Sequence, residues 1–314
     1  MKLVAPDYYS DFKCIADECV HSCCVGWEID IDEESYERFM KLPGEIGERV
    51  RKSISVGEDG PYFHMTNDGK CPFLNANGLC DMIIEMGEDC LCQICDDHPR
   101  FRNFWGDREE IGLGLCCEAA GMLILGRKEC VKEVVLDDDC KNDVLSDEEE
   151  EILEYRRELI DVIQDRSMPV IERVKCILDD LNAGENVSFQ RWGRFLMGLE
   201  RLDDAWADRL EDMCAEYDGE AELTEFDTSF EQLLVYLMWR HVPGNACDYD
   251  VEVCVLYAIL MWFIVRRLCE IFLTECGKIT LPDIVEIARL YSSEIEYSDE
   301  NIYAIMDEIC AEGL

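Results

Sequence analysis

Apolar residues recur at three- and four-residue intervals through the later part of this chain. Leu233, Leu234, Leu237 and Met238 mark one helix, and Ile284, Ile287 and Leu290 mark another. Pairs with capping-box spacing stand at the expected starts: Ser146 with Glu149, Ser229 with Gln232 and Thr280 with Asp283. The longest apolar stretch, 253–265, stops at Arg266-Arg267. A membrane-spanning helix needs about 20 apolar residues, so this pattern predicts a buried core helix. Earlier in the chain the runs are short. Asp32-Glu33-Glu34 before Tyr36, Phe39 and Met40 predicts a capped helix with carboxylates in its first turn. Residues 62–65 precede Asn67-Asp68-Gly69, and 71–74 precede Asn75-Ala76-Asn77-Gly78, which predicts short strands around two Asx-Gly turns. An acidic passage, 137–151, separates these two characters. The patterns predict a domain over 1–140 and an all-helical domain over 141–314, with no internal repeat.

Composition narrows the classes. With 314 residues and 48% hydrophobic residues, the chain can bury a sizeable core. Residues 1–11 lack the apolar core of a signal peptide, so a cytoplasmic protein that does not cross a membrane is expected. The net charge of −42 repels nucleic acid and would attract a partner presenting lysines or arginines. A solvated acidic surface that favours solubility explains the same charge.

The 20 cysteines change the picture most. In a reducing compartment thiols serve as metal ligands, nucleophiles or small buried hydrophobes. Thirteen lie before residue 141, in tight groups. Cys176, Cys214, Cys247, Cys254, Cys269, Cys276 and Cys310 are scattered singly and are expected to be buried hydrophobes. The groups are Cys14, Cys19, Cys23 and Cys24; Cys71 and Cys80; Cys90, Cys92 and Cys95; and Cys116-Cys117. Thiolates gathered in a loop-rich segment suit zinc or an iron–sulfur cluster. Two common signatures are absent. Cys19-x3-Cys23 begins the radical-enzyme pattern but meets Gly26, and Cys92-x2-Cys95 lacks a matching Cys-x2-Cys. Spacing therefore points to a metal without naming it.

Taken together, the motifs resemble the flagellin lysine-N-methylase family. Phe12-x-Cys14-Ile15 with Cys19-x3-Cys23-Cys24-x-Gly26-Trp27-x-Ile29 is similar to the family's opening. Cys71-Pro72-Phe73-Leu74, Leu79-Cys80, Gly87-Glu88, Leu91 and Cys95-x3-Pro99-Arg100 continue the pattern in order, followed by Leu115-Cys116-x-Glu118-Ala119. Weaker similarity persists from Phe230 to Tyr236. The resemblance implies a protein-lysine methyltransferase that uses S-adenosylmethionine on a lysine-bearing, flagellin-like protein and carries a [4Fe-4S] cluster, with zinc as the alternative. Carried over residue by residue, it marks Cys14, Cys19, Cys23, Cys24, Cys71, Cys80, Cys95 and Cys116 as candidate metal ligands. Three features depart from the pattern: His98 replaces an aromatic, Cys117 replaces a proline, and Cys90 and Cys92 are additions.

The fold expected is mainly α: a cysteine-rich metal-binding N-terminal domain of loops and short strands, then a helical domain. Catalytic and S-adenosylmethionine-binding residues are not identified. His98 and Glu118 stand beside candidate ligands and read first as outer partners of a metal site. Gly112-x-Gly114 with Gly121 is a poor nucleotide-turn match, with no strand–turn–helix context expected around it. Tyr236, Trp239, Arg240 and His241 could meet a substrate, although a core helix explains most of that segment. The reading of a different class is a non-enzymatic zinc or iron–sulfur scaffold or redox module.

Overall fold

The structure is a computed structural model that describes residues 2–27, 29–58, 60–138, 145–184, 186–215, 221–242 and 249–314. The described residues are mainly α, 57% helix against 12% strand. It divides into two compact units, Lys13–Arg100 and Met1–Phe12 with Phe101–Leu314. The smaller unit is thus inserted in sequence after the first strand of the larger, β1 (Lys2–Pro6). The compositional boundary expected at residue 140 falls within 139–144, outside the described residues.

Within Lys13–Arg100, β2 (Ile29–Asp30) leads into α1 (Glu33–Met40). Asp32 caps this helix as expected, its Oδ1 accepting from Ser35 N at 2.8 Å. Next come α2 (Gly44–Ser53), β3 (Ile54–Val56), β4 (Pro61–Phe63), α3 (Asp81–Met86) and α4 (Gln93–Asp97). The strands form an antiparallel sheet of order β2-β4-β3. Both expected turns form, and Tyr62 and Phe63 lie in β4 as expected, but the other flanking strands do not form. Residues 71–74 are not a strand, and single bridges, Val25 to Lys70 and Leu74 to Cys80, take the place of ladders. The small core stacks Phe63 against Phe39 and Phe73, at ring separations of 5.6 and 5.1 Å. Cys71 and Cys92 are buried in that core, and Cys24, Cys80, Cys90 and Cys95 pack against it. An aromatic core this small leaves room for sulfur as filler.

The larger unit continues with β5 (Arg100–Trp105), β6 (Arg108–Leu113), α5 (Glu118–Leu125) and β7 (Glu133–Asp138). These strands form a sheet of order β5-β6-β1-β7, with β1 parallel to β6 and antiparallel to β7. From 145 onward every described element is helical, as expected: α6 (Asp147–Ile163), α7 (Val170–Asp180), α8 (Phe189–Met197), α9 (Asp204–Cys214), α10 (Asp227–His241), α11 (Val251–Cys276), α12 (Leu281–Tyr291) and α13 (Asp299–Glu312). A π-helical turn, Ser292–Glu296, joins the last two. Both capping boxes at Ser146 and Thr280 form. The third does not. α10 begins at Asp227, so Ser229 and Gln232 lie inside it and are buried. Asp227 instead fixes the entry by accepting from Val170 N at 3.1 Å.

The apolar stretch 253–265 lies in α11 and is buried in the core, as expected. No helix of the described residues is long and apolar enough to cross a membrane. The scattered cysteines split. Cys254 and Cys269 are buried, but Cys176, Cys276 and Cys310 are exposed because they fall on solvent-facing positions of their helices. Cys247 lies outside the described residues.

Candidate metal centre and buried carboxylate network

Seven of the eight expected ligands lie in the Lys13–Arg100 unit, and Cys116 lies in the other. No cysteine among the described residues is in a disulfide. A short backbone ladder brings the first pair together. Gly26 N donates to Gly69 O at 2.9 Å and Cys71 N to Cys24 O at 2.8 Å, flanking the Val25–Lys70 bridge. Across it the Cys24 thiol donates to Cys71, and Cys23 donates to Cys24. The second pair sits on a tight turn entering α4, where the Cys95 thiol donates to Cys92. α1 holds this turn in place. Arg38 donates to the Leu91 and Cys90 carbonyls at 2.6 and 3.3 Å, and Asp32 Oδ2 accepts from Gln93 N at 2.9 Å.

The acidities follow from these bonds. The Cys24 hydrogen bond, then the amide N–H groups of Phe73 and Leu74, hold the Cys71 thiol below its ordinary range despite burial. The Cys95 thiol and the Cys95 amide do the same for Cys92. The donors move the other way. Although the Cys23 thiol pulls Cys24 down, donation to Cys71 and burial push Cys24 up to about 12. Donation to Cys92, burial and neighbouring sulfurs, those of Cys24 and Cys71 included, push Cys95 up. Cys80 is near enough to raise Cys24 and Cys90 electrostatically.

Cys14 is exposed and accepts from Ala16 N at 3.4 Å, while Cys19 donates to the His21 carbonyl at 3.1 Å. His98 stacks on Trp27 with ring centres 6.3 Å apart. Burial and then the Arg100 charge bring His98 down to about 4, so its imidazole is neutral at pH 7. Among the described residues, no three Cys, His, Asp or Glu side chains form a closed metal-binding group. The thiols fit a thiophilic metal in donor chemistry, and they stand as hydrogen-bonded pairs.

Cys116 belongs to a different neighbourhood. Its thiol donates to Tyr297 Oη at 3.1 Å, and burial raises it to about 12. The Tyr297 ring and the Phe101 ring flank the Arg240 guanidinium, each centred 4.9 Å from it. Below lies Glu296, at the end of the π-helical turn. It accepts from Tyr236 Oη at 2.6 Å, from Ser292 and, at 2.8 Å, from His241 Nε2. Arg240 donates to Tyr236 Oη at 2.9 Å and to the Glu296 carbonyl at 3.0 Å, and its ion pair with the carboxylate spans 3.3 Å. Burial opposes ionisation of Glu296. The Arg240 charge and the His241 and Ser292 bonds outweigh it and hold the carboxyl at about 2. Tyr236, Arg240 and His241 are therefore interior polar residues whose bonds all turn inward. Arg156 and Asn103 complete the helix end, donating to the carbonyls of Trp239, Arg240 and Val242. Glu296 and Tyr297 carry no sequence signal, since their role depends on a π-turn and on partners over fifty residues away.

The glycines need a correction. A strand–turn–helix does surround Gly112 and Gly121, in β6 and α5, contrary to expectation. Packing explains both residues. A Cβ on Gly112 would lie 2.3 Å from the Phe101 ring, and one on Gly121 would lie 2.8 Å from Val285. Glu118 occupies the first turn of α5, where it disfavours a phosphate.

Fold and site define a mainly α protein with a thiol-rich inserted unit and a buried carboxylate network at the end of a core helix. The family model of the FliB lysine N-methylase C-terminal domain matches residues 128–314, more than half of the chain. The chain belongs to the FliB lysine N-methylase family. The flagellar biosynthetic protein FliU of Salmonella muenchen is 21% identical over 132 residues, 38% of this chain and 75% of that protein. The lysine-N-methylases of Salmonella choleraesuis and Salmonella typhimurium are each 21% identical over 126 residues, 38% of this chain and 31% of either relative. The match thus spans under a third of those two relatives' length. No solved structure matches the chain.

Proposed function

We propose that this chain is a protein-lysine N-methyltransferase that acts in the cytoplasm on a flagellin-type protein, with S-adenosylmethionine as methyl donor. The family match over residues 128–314 carries this reading. The acidic surface, with its net charge of −42, suits an acceptor that presents lysines. An acceptor amine must lose its proton before it can attack the sulfonium methyl group, which requires a site that favours the neutral amine.

A [4Fe-4S] cluster, or zinc in its place, belongs to the same proposal, with its ligands drawn from the cysteines of the Lys13–Arg100 unit. An iron–sulfur cluster would supply electron transfer or an iron Lewis acid, and zinc would supply structural closure. The chain's own residues do the preparatory work. Arg38 and Asp32 set the turn that carries Cys90 and Cys92, and the 24–26 and 69–71 ladder sets Cys24 against Cys71.

The test is to incubate the anaerobically purified protein with S-adenosylmethionine and a flagellin-type acceptor, then map the acceptor by mass spectrometry. Methylated lysines are expected. A folded, metal-loaded protein that leaves every lysine unmodified would sink the methyltransferase reading. It would favour a non-enzymatic metal scaffold or redox module, for which the clustering of thiols in one compact unit speaks.

A further inference from the structure

The Glu296–Arg240 ion pair is buried in the larger unit with Tyr236, His241 and Ser292 around it. Stability alone does not call for it, since well-packed apolar residues serve a core as well as a buried ion pair. Its bonds instead fix two side chains at the surface. Tyr236 Oη accepts from Leu115 N at 3.3 Å, which anchors the backbone just before Cys116. Tyr297 follows Glu296 directly. It is held between the π-helical turn and the cap of α13, where Ser298 Oγ accepts from Asn301 N at 3.3 Å. Arg240 packs on its ring, with the guanidinium 4.9 Å from the ring centre. The Cys116 thiol donates to Tyr297 Oη at 3.1 Å, and this bond lies at the surface. Tyr297 is 49% exposed, whereas Arg240, Tyr236, His241 and Glu296 are buried. A rigid polar core thus aims an accessible phenol.

Packing has no use for the Tyr297 hydroxyl, because a bare phenyl ring would cover Arg240 equally well. We propose that Tyr297 Oη, oriented by Cys116, holds the amine of the acceptor lysine for methyl transfer. The inference rests on the methyltransferase reading and names its acceptor site. The phenol oxygen takes a hydrogen bond from the amine N–H, which leaves the nitrogen lone pair turned away from the ring. The Arg240 cation against that ring disfavours a second positive charge beside it, so an arriving ammonium gives a proton to water at the open surface. The amine lone pair then forms a bond to the sulfonium methyl carbon. The carbon–sulfur bond breaks with its electrons going to sulfur, and the methylated nitrogen loses its extra proton to water. Tyr297 touches the acceptor and is the catalytic residue here. Cys116, Arg240, Glu296 and Tyr236 act through it as positioning residues. A π-helical turn beside such a residue fits the frequency of these turns at functional sites.

The experiment places the photo-cross-linker p-benzoylphenylalanine at position 297 of the full chain. The protein is irradiated with a flagellin-type acceptor, without S-adenosylmethionine, and the products are mapped by mass spectrometry. A cross-link beside an acceptor lysine is expected. It should vanish when the acceptor's lysines are acetylated, and it should not form when the cross-linker replaces exposed Val162 of α6 instead. In the methylation assay, Tyr297→Phe should lower kcat/KM by about 10- to 100-fold, the worth of one hydrogen bond to a charged group. Its melting temperature should match wild type, because the ring still covers Arg240. No cross-link from position 297, a cross-link indifferent to lysine acetylation, or a Tyr297→Phe protein with wild-type kcat/KM would each overturn the proposal. A lysine-dependent cross-link from a protein that methylates nothing would count against the methyltransferase reading and leave Tyr297 as an amine-binding residue.

Discussion

Glu296 shows what one residue can decide. Its carboxylate is fully buried and faces Arg240, His241, Ser292, Tyr236 and Tyr291. Replacing it with alanine leaves the Arg240 charge without its buried partner, and a loss of about 3–5 kcal/mol is expected in urea unfolding. The pH dependence has a definite sign. The folded carboxyl sits at about 2, below the ordinary 4.5, so the folded state binds fewer protons than the unfolded state between those values. The stabilisation is therefore complete above pH 4.5 and is lost as pH falls toward 2. Unfolding midpoints measured from pH 6 to pH 3 should drop less steeply in Glu296→Gln than in wild type, and parallel slopes would contradict this assignment. His241 adds a second contribution of the same direction. Burial keeps it below its ordinary 6.5, so protons taken up on unfolding weaken the fold as pH drops through that value.

Among the elements, α6 and α12 were legible in the sequence and α10 was legible in its body alone. The capping boxes at Ser146 and Thr280 depend on contacts three residues apart, which spacing reveals. Ser146→Ala should cost about 1 kcal/mol, visible as a lower melting temperature with unchanged helix content at 20 °C. A change below the error of the measurement would mean that the first turn of α6 is held by packing. The start of α10 escaped because a tertiary partner, the Val170 amide, fixes Asp227. The pairing of Cys24 with Cys71 escaped for the same reason: a single bridge between distant residues leaves no periodic trace. The cysteine groups were visible as spacing, but spacing could not tell that Cys14 is exposed and Cys92 buried.

For the whole molecule, charge and connectivity have consequences that no element shows alone. On the proposed function, a net charge of −42 would draw a lysine-bearing acceptor through fields that fade beyond about 10 Å at 0.1 M salt. On the proposed function, KM for the protein acceptor should rise with ionic strength while kcat holds. A KM that does not respond to salt would place recognition in apolar contacts.

Connectivity matters during synthesis. β1 is an interior strand of its sheet, with Val4 and Ala5 fully buried, yet its neighbours β6 and β7 are not complete until residue 138 has been made. A ribosome adding ~5–20 residues per second keeps the first strand waiting on the order of ten seconds for both partners. During that interval the inserted unit can close on itself, while the opening strand remains a sticky, unpaired ribbon that a holdase could shield.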